Sequence, residues 1–166
     1  MRDFEPSDIV SATAETDAPV SVHDLRNWVR DGRFNVPLAE PRAGQPRAFP
    51  ILAVYEAALL KTFATAGVPL EKAARWNAEI IAAIVKRGVP TLKPDGSQGG
   101  GGIELVGFHP TFARPVIHDG LFGETAVKAF YEIRNRAGSG GRFPHMISLI
   151  HLPALISTIN RGLGVP

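Results

Sequence analysis

The chain has 166 residues, a net charge of +2 and no cysteine. The missing cysteines exclude disulfides, thiolate catalysis and cysteine-held metal. A 45% share of hydrophobic residues is enough for a packed core and too high for a disordered chain. The opening MRDFEPSDIV carries acids and no apolar run, so no secretory signal is expected. No stretch approaches the ~18 apolar residues of a membrane span, so a cytoplasmic, nucleoid-associated protein without membrane contact is expected. Charge is unevenly spread. Residues 1–20 hold one basic and five acidic residues, whereas residues 21–50 hold five arginines against three acids. Arginine suits phosphate and base-edge contacts.

Taken in order, residues 7–15 read as a short helix with Ser7 as N-cap and Ile9, Val10 and Ala14 inward. Residues 16–19 (TDAP) form a turn. The second helix spans residues 21–31, with Ser21 as N-cap and Asp24 completing a capping box. Val22, Leu25 and Val29 are expected to face the core, with Trp28 on the flank. The opposite stripe is His23, Arg26, Asn27 and Arg30, spaced i, i+3, i+4 and i+7. All four can donate hydrogen bonds, and the arginines can grip phosphate or guanine bidentately. An ordinary solvated helix face produces the same stripe, so it points to nucleic acid only together with its surroundings. Helix, turn and helix make a helix-turn-helix candidate.

Four prolines between residues 33 and 50 exclude a helix there. Phe34 and Val36, then Arg47 and Phe49, read as two short strands of a wing with Arg42 near its tip. Ile51–Ala66 is expected to be an amphipathic helix with Ile51, Val54, Tyr55, Ala58, Leu59, Thr62 and Phe63 inward. Leu70–Lys86 reads as another, with Leu70, Ala73, Ala74, Asn77, Ile80, Ile81 and Ile84 inside and Trp76 off that stripe. Residues 89–102, ending in four glycines, read as a linker. Beyond it, 103–108, 115–118 and 146–152 read as strands and 153–163 as a helix, while 124–136 fits strand or helix equally.

The fold class expected is α+β: a winged helix-turn-helix domain over 7–88, the linker 89–102, and a small α/β module over 103–166 that dimerises or senses. The five histidines show no zinc-ligand spacing, the glycine run lacks the Lys and Ser/Thr of a phosphate loop, and no serine sits in a nucleophile elbow. No enzyme activity, metal or cofactor is expected.

Residues 20–76 resemble the DNA-binding domain of the mercury-resistance regulator (MerR) family. Val20-Ser21-Val22 leading to Leu25-Arg26-Asn27-Trp28 is similar to the family's V-S-x-x-T-L-R-x-[YW] opening. Asp31-Gly32 with Phe34 resembles its E-G-L segment, Arg47-Ala48-Phe49 its R-x-[YF] wing closure, and Gly67-Val68-Pro69-Leu70-Glu71 its G-[FV]-[SP]-L-E-E motif. The turn Thr16–Pro19 is longer than the family's, and no long coiled-coil helix follows residue 87. The resemblance implies sequence-specific binding of double-stranded DNA through His23, Arg26, Asn27 and Arg30, with Arg42 and Arg47 on the backbone. A transcription regulator acting as a homodimer is expected, with a small-molecule or protein effector at the C-terminal module. An excisionase-like architectural or phage-type DNA factor and a winged-helix protein-interaction module are the alternatives.

Overall fold

The computed structural model describes residues 3–41, 43–92, 98–100, 103, 105–118 and 148–165. It is a mixed α+β protein. Five helices are present among the described residues: α1 (Pro6–Thr13), α2 (Val22–Arg30), α3 (Ile51–Thr65), α4 (Leu70–Arg87) and α5 (Leu152–Leu163). The strands are β1 (Thr91–Leu92), β2 (Gln98–Gly100), β3 (Leu105–Phe108), β4 (Val116–His118) and β5 (Ser148–His151). The chain divides into two units, Met1–Ile81 with Ser157–Pro166, and Ala82–Ile156.

In the first unit α3 is the central element. The run LAVYEAALL has no polar stripe, and Ala53 to Leu60 are buried on every side, Glu56 included. The single inward face expected for this helix is therefore too narrow. Such an all-round apolar helix must be surrounded by other elements. Gly67, at φ +82°, takes the left-handed conformation that lets the Val68 N–H reach back to the Phe63 carbonyl at 2.9 Å, which ends the helix.

α4 presents Ala73, Asn77, Ile80 and Ile81 inward as expected, but Trp76 joins them at 1% exposure. Its ring meets Phe63 edge-on, with centroids 5.5 Å apart. An indole is too large to leave in water when a neighbouring aromatic offers a slot one turn of helix away from the aliphatic stripe.

The start of α1 also differs from expectation. Glu5, not Ser7, is the N-cap, Pro6 supplies the first helical residue, and the Glu5 N–H donates to the Asp8 carboxylate at 2.9 Å. Proline is pre-set for that position and lacks the N–H that would be orphaned there.

The last part of the chain returns to the first unit. The Tyr55 hydroxyl donates to Asn160 Oδ1 at 2.6 Å, fully buried, and Arg161 pairs with Glu15 at 3.1 Å. Gly162 lies against α1, where an added Cβ would stand 2.6 Å from the Ala12 Cα. The closing residues of α5, Ser157 onward, thus group with α1 and α3 in the first unit rather than with the whole of 103–166. Gly162→Ala should cost about 1–3 kcal/mol, because backbone cannot yield as a flexible side chain does. Chemical denaturation of the full chain checks this; an unchanged midpoint would contradict the close packing.

In the second unit β3 is the middle strand of an antiparallel sheet ordered β4-β3-β5. Leu105 lies opposite His118 and His151, and Val106 opposite Ile117 and Ile150. All four β3 residues are buried, as the continuous apolar run LVGF requires. The stretch expected as linker contains the antiparallel pair β1–β2, with Thr91 opposite Gly100 and Leu92 opposite Gln98. Strand pairing uses only backbone groups, which glycine supplies as well as any residue. The segment 124–136 lies outside the described residues.

Within this unit Ile103, Leu105, Val106, Phe108, Leu152 and Ile156 are buried, whereas Val85 and Leu149 are exposed.

Candidate nucleic-acid interface

The geometry of α2 begins with its N-terminus. The Ser21 hydroxyl accepts from the Asp24 N–H at 3.1 Å, and the Ser21 N–H donates to Asp24 Oδ2 at 3.0 Å. Asp24 also receives Lys61 Nζ at 2.8 Å, which ties the start of α2 to α3. Burial works to raise the Asp24 carboxyl, but the bonds from Lys61 and Ser21 outweigh it and hold the group below its ordinary value. At the other end Gly32, at φ +62°, allows the Arg33 N–H to return to the Trp28 carbonyl at 2.8 Å. Both ends are thus capped, and the first is tied to α3 through Lys61.

The long turn before α2 is fixed as well. The buried Thr13 hydroxyl donates to the Ile9 carbonyl at 2.9 Å and accepts from the Val20 N–H at 3.0 Å. Thr16 Oγ1 donates to the Thr13 carbonyl at 2.7 Å. Neither threonine carried a role in the sequence reading.

With its ends held, α2 buries Leu25 and Trp28. Val22 is exposed and Val29 half-buried, so the helix is rolled from the expected Val22/Leu25/Val29 orientation. The large Trp28 displaces the smaller Val22 from the core, because burying an indole removes more apolar surface from water.

His23, Arg26 and Arg30 lie exposed on the outer face, with Asn27 partly exposed beside them. Asn27 Nδ2 donates to His23 Nε2 at 2.8 Å; an amide nitrogen can only donate, so this His nitrogen is the acceptor. Arg30 Nε pairs with Asp31 at 2.9 Å, and both groups face water. Such a surface pair is worth little, so Arg30 can exchange Asp31 for a stronger anion. Arg26 has no hydrogen-bond or ion-pair partner among the described residues.

The stretch expected to form the wing contains no strand among its described residues. Phe49 pairs instead with Phe4, through N–H to carbonyl bonds of 2.9 and 2.8 Å, so its backbone groups are spoken for. Phe34 still touches Phe49, but through the ring, at 5.7 Å. Arg47 does not project from a strand. Its guanidinium donates to the Ala39 carbonyl at 3.0 Å and the Glu40 carboxylate at 3.1 Å, closing the loop on itself. Arg42 lies outside the described residues.

The start of this loop is held by Glu56. Its Oε1 accepts from the Asn35 N–H at 2.8 Å and from the Asn35 side-chain amide, and its Oε2 accepts from the Val36 N–H at 3.1 Å. Asn35 also donates to the Ala74 carbonyl, and Asn77 to the Glu56 carbonyl. The signal for this anchor was a lone acid inside the run LAVYEAALL.

A groove of about 560 Å³ lies beside α2, lined by Val22, Val29, Phe49, Arg26, Arg30, Arg47 and Glu5 among others. Elsewhere, among the described residues, no cluster of three His, Asp or Glu side chains could hold a metal ion, and no helix is long and apolar enough to cross a membrane. The chain matches no family model, no curated protein and no solved structure.

Proposed function

We propose that the chain binds double-stranded DNA in a sequence-dependent way, with α2 as the helix that enters the major groove, and that it serves as a transcription regulator. One observation carries the reading: a helix capped at both ends, following a helix and a turn, presents His23, Arg26, Asn27 and Arg30 together on the side away from its buried Leu25 and Trp28. Recognition helices need this combination of a fixed back and a hydrogen-bonding front. Arg26, without a hydrogen-bond or ion-pair partner among the described residues, is the residue for guanine O6 and N7; Asn27 suits adenine N6 and N7. Arg30 serves phosphate. Arg47 contributes positive field and holds the loop, and Arg42 is assigned to the DNA backbone from the sequence resemblance alone.

The protein works without catalysis, metal or cofactor, in the cytoplasm at the nucleoid, as a homodimer whose two copies read two half-sites. Capture of genomic fragments by the full chain tests the reading. Enrichment of promoter regions is the expected result. Enrichment of attachment or packaging sites would replace regulation by an architectural role, and no retention of DNA would overturn the proposal.

A further inference from the structure

Val22 is the member of the expected core stripe that α2 turns into solvent. It is one of three exposed large apolar residues among those described, the others being Val85 and Leu149. It stands on the first turn of α2, four residues before Arg26, and both line the α2 groove together with Val29 and Phe49. On a helix, side chains four apart start about 5–6 Å from each other, a separation that spans one or two stacked base pairs at about 3.4 Å each.

Val22, Leu25, Val29, Pro46 and Phe49 give the groove apolar lining beside Arg26, Arg30, Arg47 and Glu5, and a valine offers a phosphate no hydrogen bond. A base edge is the better occupant. The major-groove edge of DNA carries one apolar feature, the methyl group at C5 of a pyrimidine. We propose that Val22 is a specificity-determining residue that packs against the 5-methyl group of a pyrimidine within two base pairs of the guanine held by Arg26. The inference rests on the DNA reading above and adds the chemistry of the site: thymine beside guanine, or 5-methylcytosine in the same place.

The test uses the full chain and a site selected from random duplexes. Each thymine is replaced in turn by deoxyuridine opposite adenine, which removes the methyl group and nothing else. At one thymine near a guanine, affinity should fall about fourfold, equivalent to about 0.8 kcal/mol for one buried carbon. Val22→Ala should bind the thymine and deoxyuridine sites equally, with an unchanged melting temperature because the side chain is exposed. A cytosine and a 5-methylcytosine, each paired with guanine, then occupy the same position. A fourfold gain on methylation extends the contact to methylated DNA; no gain confines it to thymine. A selected site insensitive to every deoxyuridine, or a Val22→Ala protein that discriminates like the wild type, overturns the inference while leaving DNA binding intact. A chain that selects no duplex overturns the DNA reading itself.

Discussion

Replacing Glu56 with alanine will cost about 3 kcal/mol or more, since each orphaned donor to a buried carboxylate is worth about 1–3 kcal/mol. The carboxylate accepts from two backbone N–H groups and the Asn35 amide while wholly buried in α3. Without it the loop loses its attachment at Asn35 and Val36. The same group makes stability pH-dependent. Burial pushes the Glu56 carboxyl above its ordinary value of 4.5, against the opposing pull of the Asn35 and Val36 hydrogen bonds. The folded chain therefore holds this proton more tightly than the unfolded one. Its contribution is most favourable below the ordinary value and declines as pH rises through the shifted one. Denaturant midpoints measured from pH 4 to pH 8 should show that decline, and Glu56→Gln should remove it. A Gln variant with the wild-type slope would assign the titration elsewhere.

Trp76→Ala should be the most damaging single change in the first unit. The indole is 1% exposed, meets Phe63 edge-on and lies under the Lys72 ammonium at 5.7 Å. Truncating a buried Trp to Ala costs about 3–5 kcal/mol, against a total of about 5–15 kcal/mol for an ordinary domain. Circular dichroism during urea unfolding should show a midpoint shifted far toward zero urea, with Trp76→Phe in between. A loss below about 1 kcal/mol would mean that the α3–α4 packing does not depend on this ring.

What could be read from the residues in advance was local. The Ser21–Asp24 capping box and the Gly32 stop involve neighbours within one turn, so they stand where the spacing put them. The helices 51–65 and 70–87 follow from apolar residues recurring every three or four positions over several turns. The roll of α2 was not readable, because whether Val22 or Trp28 enters the core depends on what α3 offers. Phe49 was misassigned for a similar reason: its backbone partner is Phe4, far earlier in the chain, and nothing local distinguishes that pairing from a wing hairpin. Glu56 and Thr13 anchor loops through bonds that no helical period reveals. Among the candidate site residues, the stripe His23, Arg26, Asn27 and Arg30 does share one face, because four positions on one short helix need only the helix itself. Arg47 bonds the Ala39 carbonyl and the Glu40 carboxylate across its own loop, a pairing seven to eight residues apart that no strand or helix period reveals.

The central claim is that the outer face of α2 reads DNA, and Arg26→Ala tests it most directly. The side chain is exposed and without a protein partner among the described residues, so folding should be untouched. Fluorescence anisotropy of the selected duplex, titrated at fixed salt with wild type and variant, gives both affinities. A bidentate base contact is worth about 1–3 kcal/mol, so the variant should bind its site about five- to 150-fold more weakly. Its affinity for an unrelated duplex should change much less, and its melting temperature should match wild type. An Arg26→Ala protein that binds the selected duplex as tightly as wild type would contradict the placement of α2 in the major groove.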